Sequence, residues 1–358
     1  MILFRYLAKE VGMTLLALIS ILVLIFMSNQ VMLYLNRAAS GVIPGMMIMQ
    51  LLMLEMPNLL CLLLPLGFYF AILVAYGRLY ADSEMVVLQA CGYSSTRLLM
   101  HTLWMALVVA TLIAYLISLS PVLAYERMKL LRTTGLQTLI QTIIPGRFRA
   151  VMGDQYVFFV ESLNRNHTRA GGVFVAKRVE REGQSGWDVI TAQSGMSKKD
   201  VHSGEEYLIL NNGNHYQGQP GQADYQIVTF RQYEARLPHQ SLMFNSDIRA
   251  VPFRKLLPWN NVDHGKAAEL QWRVSIPLMV FCLTIVGVPM SRVNPRAGKY
   301  AKLLPGVLVA FVYANFMFVT RNWVATGKIP IWLGMWWLHA LVIALGLVLL
   351  WRQRVSGS

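Results

Sequence analysis

The stretch Val11–Asn36, VGMTLLALISILVLIFMSNQVMLYLN, contains no Asp, Glu, Lys or Arg. Crossing the hydrocarbon of a bilayer takes about 20 apolar helical residues, because only an intact helix satisfies its own peptide groups there. The stretch is too long for the apolar core of a signal peptide, and no small-x-small cleavage site follows Met27–Tyr34. It reads as a membrane span. Five further runs share its character: Ala38–Gly77, interrupted only by Glu55, then Leu98–Tyr125, Val274–Ser291, Leu303–Thr320 and Ile329–Trp351. The second run exceeds one span, and Pro44, Glu55 and Pro57 predict a separate outer helix or loop before Leu59–Tyr76 enters the membrane.

Between the third and fourth runs the composition changes. Residues 123–272 carry 18 basic and 14 acidic residues, near the soluble norm, whereas the other 208 residues hold only 14 and 4. The net charge of +14 does not point to nucleic acid, because the basic residues flank apolar runs instead of forming one stripe with interleaved aromatics. They act as a topology signal. With the N-terminus in the cytoplasm, Arg5, Lys9, Arg78, Arg97, Arg292, Arg296, Lys299, Lys302, Arg352 and Arg354 fall inside, against Arg37, Arg321 and Lys328 in short outer loops. Both termini are then cytoplasmic, and residues 126–268 lie outside.

That outer segment reads as β structure. Gln155–Glu161, Gly172–Val179, Glu205–Leu210 and Asp224–Tyr233 are rich in Val, Ile, Tyr and Phe, separated by clusters such as Gly183–Gly186 and Asn211-Asn212-Gly213-Asn214. Seven or eight strands at this spacing fit a sandwich, jelly roll or barrel. Tyr156–Val160 is apolar at every position, so both its faces are expected to be covered.

Catalytic and metal motifs do not emerge. G-x-x-x-x-G-K-[ST], H-E-x-x-H and G-x-S-x-G are all missing, and Cys61, Cys91 and Cys282 form no C-x-x-C. Glu161, Asp188, His215 and Asp224 share no spacing that would group them, and the Asn166-His167-Thr168 sequon is too short to carry weight. An envelope-lipid enzyme anchored in the membrane, or a secondary transporter using Glu55, are the competing readings; the first lacks a reactive constellation, and prolines place Glu55 near the outer edge.

The loop after the second span is more specific. Asp82 or Ser83 is expected to cap a short helix with Glu84 in its first turn, Met85, Val86, Leu88 and Gln89 at amphipathic spacing, and Gly92 as its stop. Surface-seeking helices favour Lys and Arg on the polar face, so the acidic start points to a protein partner.

Three motifs now combine: Gly77-Arg78-Leu79-Tyr80-Ala81-Asp82-Ser83-Glu84 with Ala90-Cys91-Gly92, then Ala268-Glu269-Leu270-Gln271-Trp272-Arg273, then Val293-Asn294-Pro295-Arg296-Ala297-Gly298-Lys299. With the order of three spans, β domain and three spans, they resemble the lipopolysaccharide-export permeases of the LptF/LptG family, the LptF branch most. The resemblance implies transmembrane helices 1–3 with a cytoplasmic coupling helix (about 80–93) in residues 1–122. It further implies a periplasmic β-jellyroll over 123–268 and transmembrane helices 4–6 over 269–358.

As the resemblance has it, such a chain is a permease subunit of an ABC-type exporter in the bacterial inner membrane. Its partners are a sister LptG-like permease, two copies of an LptB-like cytoplasmic ATPase that binds the ATP and Mg, and jellyroll bridge proteins of the LptC and LptA type. The permease itself has no cofactor, catalytic residue or metal. The ATPase-coupling residues carried over are Arg78, Tyr80, Asp82, Ser83, Glu84, Val87, Leu88, Cys91, Gly92 and Tyr93. Arg37, Arg321 and Lys328 are candidates for the lipid headgroup. Lateral gates map to Val11–Leu35 and Leu303–Thr320, and the candidate lipid path takes in Leu22, Phe26, Leu33, Phe311 and Phe316, with Val157, Phe159 and Phe174 in the β domain.

Overall fold

The apolar runs fold as helices that extend past the apolar residues at several ends. In chain order the helices are α1 (Ile2–Ala39), α2 (Ile48–Ala81), α3 (Glu84–Ala90), α4 (Ser95–Gln141), α5 (Phe253–Leu256), α6 (His264–Met290), α7 (Leu303–Ala325) and α8 (Trp336–Val355). All but α3 and α5 are long and apolar enough to cross a membrane. The structure, a computed structural model, describes residues 2–39, 43, 45–141, 145–151, 156–164, 169–181, 184–199, 206–218, 225–236, 248–257, 263–293 and 302–355. Pro44, the Asn166 sequon and Asn294–Lys299 of the third motif lie outside the described residues. Contacts divide the chain into two compact units: Met1–Leu33 with Met49–Arg127 and Ser246–Ser358, and Tyr34–Ile48 with Met128–Asn245.

The expected break in the second apolar run is not there. Helix α2 runs unbroken for 34 residues through Pro57 and Pro65, about 50 Å at 1.5 Å per residue. Each proline deletes one peptide N–H, a loss tolerated where neighbouring helices enclose the site; 67% of the apolar window of α2 is buried. Glu55 does not interrupt it either, since its carboxylate accepts from Asn58 Nδ2 at 3.1 Å and pairs with Arg127 of α4. Helix α4 likewise continues through Pro121 to Gln141, into residues read as β domain, because Glu126–Leu131 still consists largely of strong helix formers.

Helix α6 starts ten residues before its apolar run. Asp263 caps it by accepting from the N–H groups of Gly265 (3.1 Å) and Lys266 (3.2 Å). The Lys266 ammonium and these peptide donors hold the Asp263 carboxyl below the usual carboxylate range. The last run is shorter than expected as a helix, since Ile331–Met335 forms turns before α8. Gln271 of α6 serves that non-helical backbone, donating to Ile331 O (2.6 Å) and accepting from Met335 N–H (3.1 Å).

In the helical unit α2 and α6 are central, each with a 67% buried window, while α1 is peripheral with 6%. One core joins the N-terminal half of α1 to α2, α4 and α6 around Leu7, Val11, Phe68, Tyr76 and Met105. A second joins α2 to α6, α7 and α8 around Tyr69, Leu283, Tyr313 and Leu338. The Tyr69 hydroxyl donates to Gly306 O at 3.2 Å, and the Tyr76 hydroxyl lies 2.9 Å from Thr102 Oγ1. These two buried hydroxyls thus find partners within the protein, as an apolar interior demands. Cys61 and Cys282 are buried and Cys91 is exposed.

In the second unit the described strands form one antiparallel sheet in sequential order: β1 (Arg149–Val151), β2 (Tyr156–Leu163), β3 (Arg169–Arg181), β4 (Gln184–Lys199), β5 (Glu206–Gly218) and β6 (Gln226–Arg236). Strand β4 was not recognisable from its Ser- and Gly-rich sequence, and the Asn211–Asn214 cluster expected as a separator lies inside β5. A single row interrupts the four ladders that join β2 through β6. The pairs that would join Glu161 to Gly172, Gly172 to Gln193, Gln193 to Asn212 and Asn212 to Arg231 are skipped, while the register on both sides is the same. Gly172 (φ 60) and Asn212 (φ 49) are left-handed in that row.

This crease changes which residues share a face. Ala170 and Val173, or Phe230 and Tyr233, are three apart and would face opposite ways in a regular strand. Here they join one cluster with Val175, Ala192 and Leu210. Both faces of β2 are engaged, as its composition implied: Phe158 packs on that cluster, and Phe159 stacks 4.6 Å from Phe148 on the other side.

A Cβ on Gly213, beside the crease, would strike the Thr191 carbonyl and lie 2.6 Å from Phe230. Gly213→Ala should cost about 2–3 kcal/mol, because backbone cannot yield as a side chain does. Thermal unfolding in detergent checks it, with Gly12→Ala, where nothing lies within 4 Å of the added carbon, as the control expected to stay within about 1 kcal/mol of wild type.

Candidate functional site

The expected coupling helix exists as the seven-residue α3, bounded as the sequence indicated but capped differently. Ser83 occupies the N-cap position with left-handed geometry (φ 62) and makes no side-chain cap bond. The stop is a glycine-based one: Gly92 (φ 89) donates to Gln89 O and Tyr93 to Leu88 O, both at 3.0 Å. Met85 is fully buried and anchors the helix, Leu88 and Tyr93 turn toward the same core, and the Tyr80 hydroxyl accepts from Gln89 Nε2 at 3.1 Å. The Tyr93 hydroxyl meets His101 Nδ1 at 2.6 Å; burial pushes its pKa above the usual phenol value, partly offset by the Arg97 charge.

The outward surface of this corner holds Asp82, Ser83, Glu84, Val87, Cys91 and Gly92 together. Val86, 48% exposed, stands beside Val87 at 60% and adds a second apolar contact point. Glu84 and Arg78 are each engaged by α1. The Tyr6 hydroxyl donates to Glu84 Oε2 at 2.6 Å, and Arg78 pairs with Glu10. A cavity of about 380 Å³ opens next to α3, lined by Gln89, Tyr93, Ser95, Arg292 and Gln353. Burial, together with the nearby Arg292 charge, lowers the proton affinity of Lys302 on that side of the helical unit.

A second polar cluster lies where α6 and α7 meet. Arg273 Nε donates to Glu269 Oε1 at 2.8 Å, and Arg321 Nη2 donates to Glu269 Oε2 at 2.6 Å. Arg273 also donates to Val251 O and Arg249 O, both at 2.9 Å, which ties in the short turn before α5. The Arg321 guanidinium sits 4.8 Å over the Trp272 ring, which in turn lies 4.9 Å from Phe318. These groups border a cavity of about 130 Å³ that also reaches Cys61 and Arg249. Two buried or half-buried cations on one carboxylate leave a net positive site. The Glu269/Arg273 spacing of four was visible in the sequence as a helical ion pair, but nothing there indicated that Arg321, 52 residues on, completes it.

Of the other headgroup candidates, Arg37 stacks over Tyr34 at 5.8 Å, and Lys328 is exposed in the turn after α7, its backbone N–H bonded to Trp323 O. Among the lipid-path candidates, Phe26, Leu33, Phe311 and Phe316 are exposed, from 39% to 66%, and Leu22 is half-buried. Val157, Phe159 and Phe174 share the sheet face opposite the packed cluster. Glu161 borders the crease, His215 lies 3.3 Å from Gln217 Nε2, and Asp224 is outside the described residues. No metal-holding group of three ligands occurs among the described residues.

Six spanning helices with a β unit inserted between the third and fourth, and a short amphipathic helix after the second, define a polytopic membrane protein of permease type. A family model described as "Lipopolysaccharide export system permease LptF/LptG" matches residues 5–352, and the chain belongs to that family. It is 29% identical over 367 residues to the lipopolysaccharide export system permease protein LptF of Escherichia coli K12, covering 100% of this chain and 99% of that one. The LptF of Shigella flexneri matches at the same 29% identity.

Glu269→Gln should strand Arg273, whose side chain is 4% exposed, without its charge partner. Removing one member of a buried pair costs about 3–5 kcal/mol, read as a lowered midpoint of thermal unfolding in detergent.

Proposed function

We propose that this chain is a permease subunit of an ABC-type exporter that takes lipopolysaccharide from the outer leaflet of the inner membrane and passes it to its periplasmic β domain. The observation that carries this reading is the family match over residues 5–352, which runs through helices and sheet alike. The distribution of Lys and Arg supports cytoplasmic termini and an outer β unit. The jellyroll reading gives the described meander the role of one wall, its crease bending a greasy face around acyl chains. Energy comes from a partner ATPase docking on the outward surface of α3, where Glu84 offers charge and Val86 and Val87 offer apolar contact. A sister permease completes the membrane portion, and bridge proteins with similar sheets receive the lipid.

The net positive cluster around Arg273 and Arg321 fits the phosphorylated head of such a lipid. The apolar exposed flanks of α1 and α7 fit its chains. A phosphate group near a guanidinium already shared with Glu269 gains less than near a free one, so Arg321 tunes the site more than it anchors the lipid.

Extraction in mild detergent, followed by mass identification of what copurifies, tests the class. Recovery of an ATPase, a second permease and a lipid A-type glycolipid is expected; recovery of the chain alone with ordinary phospholipid would sink the reading. Glu84→Arg should lower ATPase recovery at least tenfold, by placing like charge where a carboxylate is recognised. Photo-crosslinkers at Val157, Phe159 and Phe174, compared with Phe158, Val175 and Phe230, should capture glycolipid from one sheet face only and so identify the lipid-bearing side.

A further inference from the structure

Two turns of α1 make polar bonds to the corner that contains α3. Tyr6 and Glu10 are four residues apart and therefore on one helix face; Tyr6 reaches Glu84, and Glu10 reaches Arg78 at the end of α2. Leu7 and Val11, the adjacent pair, are fully buried in the core shared with α2 and α4. The hydroxyls of Thr14, Ser20 and Ser28 bond back to α1 itself. Farther along, Ile21, Leu24, Ile25 and Met32 are 56% to 69% exposed. Helix α1 is thus tied by polar bonds to the α3 corner near its N-terminal end, while its middle turns present much apolar surface outward.

We infer that Tyr6 and Glu10 make the first turns of α1 part of the coupling device, so that displacement of α3 by the ATPase is delivered to α1 through the Tyr6–Glu84 and Glu10–Arg78 bonds. The inference rests on the reading of α3 as the ATPase contact. Tyr6 is a positioning residue: its hydroxyl takes one oxygen of the Glu84 carboxylate and leaves the other, Oε1, for a partner. A rigid helix carries a shift along its axis, so a displacement of α3 reaches the exposed middle turns of α1. Ordinary apolar packing does not require a phenol bonded to a carboxylate at this point, since Leu7 and Val11 already supply the burial.

The test uses the full chain in the purified complex with its ATPase and sister permease, reconstituted in vesicles containing lipopolysaccharide. Tyr6→Phe removes only the hydroxyl and should lower glycolipid released per ATP hydrolysed roughly three- to tenfold, the range for losing one ordinary solvent-exposed hydrogen bond. Glu10→Arg should lower the same ratio, and the exchange Glu10→Arg with Arg78→Glu should restore it at least in half. A spin label on Leu33, 39% exposed on the outer half of α1, should change mobility on ATP addition in the wild type and not in Tyr6→Phe.

If Glu84→Arg keeps full ATPase association, the docking reading itself fails. If Glu84→Arg loses the ATPase while Tyr6→Phe keeps the wild-type ratio and label response, the linkage through α1 alone is wrong. Should Tyr6→Phe insert poorly, Tyr6→Trp and the charge exchange at 10 and 78 still decide: loss of the ratio without restoration by the exchange overturns the proposal.

Discussion

Hydrocarbon offers no hydrogen-bond partner to a peptide group or an ion, and most of this structure follows from that constraint. Each spanning segment must be helical, and each departure from the helix has to be served by a side chain. Gln271 does this for the turns before α8, and the Tyr69 hydroxyl takes an additional bond to the Gly306 carbonyl near the start of α7. Charges within helix-length segments obey the same rule. Glu55 is held by Asn58 and Arg127, and Glu269 by two arginines. An acidic residue in an apolar run therefore marks a helix–helix bond in this protein instead of the end of a span.

The two polar sites differ in consequence. The Glu269 cluster is enclosed, joins α6 to α7 and to the turn before α5, and its arginines are committed before any ligand arrives. The corner around α3 is open, and its bonds to α1 are exposed ones. On the proposed reading, stability resides in the first and force from a partner enters at the second, a compliant polar edge that feeds stiff, dry helices.

Much was legible without coordinates. Six apolar runs became six spanning helices, the α3 stop fell at Gly92, and Cys61 and Cys282 proved buried. Errors clustered at proline, glycine and asparagine. Pro57, with Glu55, was read as a boundary because in water a proline costs a helix its hydrogen bond, whereas the enclosed α2 carries both Pro57 and Pro65. Asn211–Asn214 was read as a turn, yet it is the point where β5 passes through the crease. The crease itself depends on skipped pairs in five neighbouring strands, and no single strand announces it.

By itself the sequence determined the six membrane-length apolar runs, the β character of the segment between the third and fourth, and the corner where acidic residues open a short helix. These depend on local composition and on spacing within a turn or two, which a linear string records. Only the tertiary structure decided that Arg321 closes on Glu269, that Tyr6 and Glu10 reach across to Glu84 and Arg78, and that Leu210 and Ala192 share a face. Each of these joins residues from separate elements, and such partners are selected by how helices and strands pack, a property of the whole chain that no local pattern encodes.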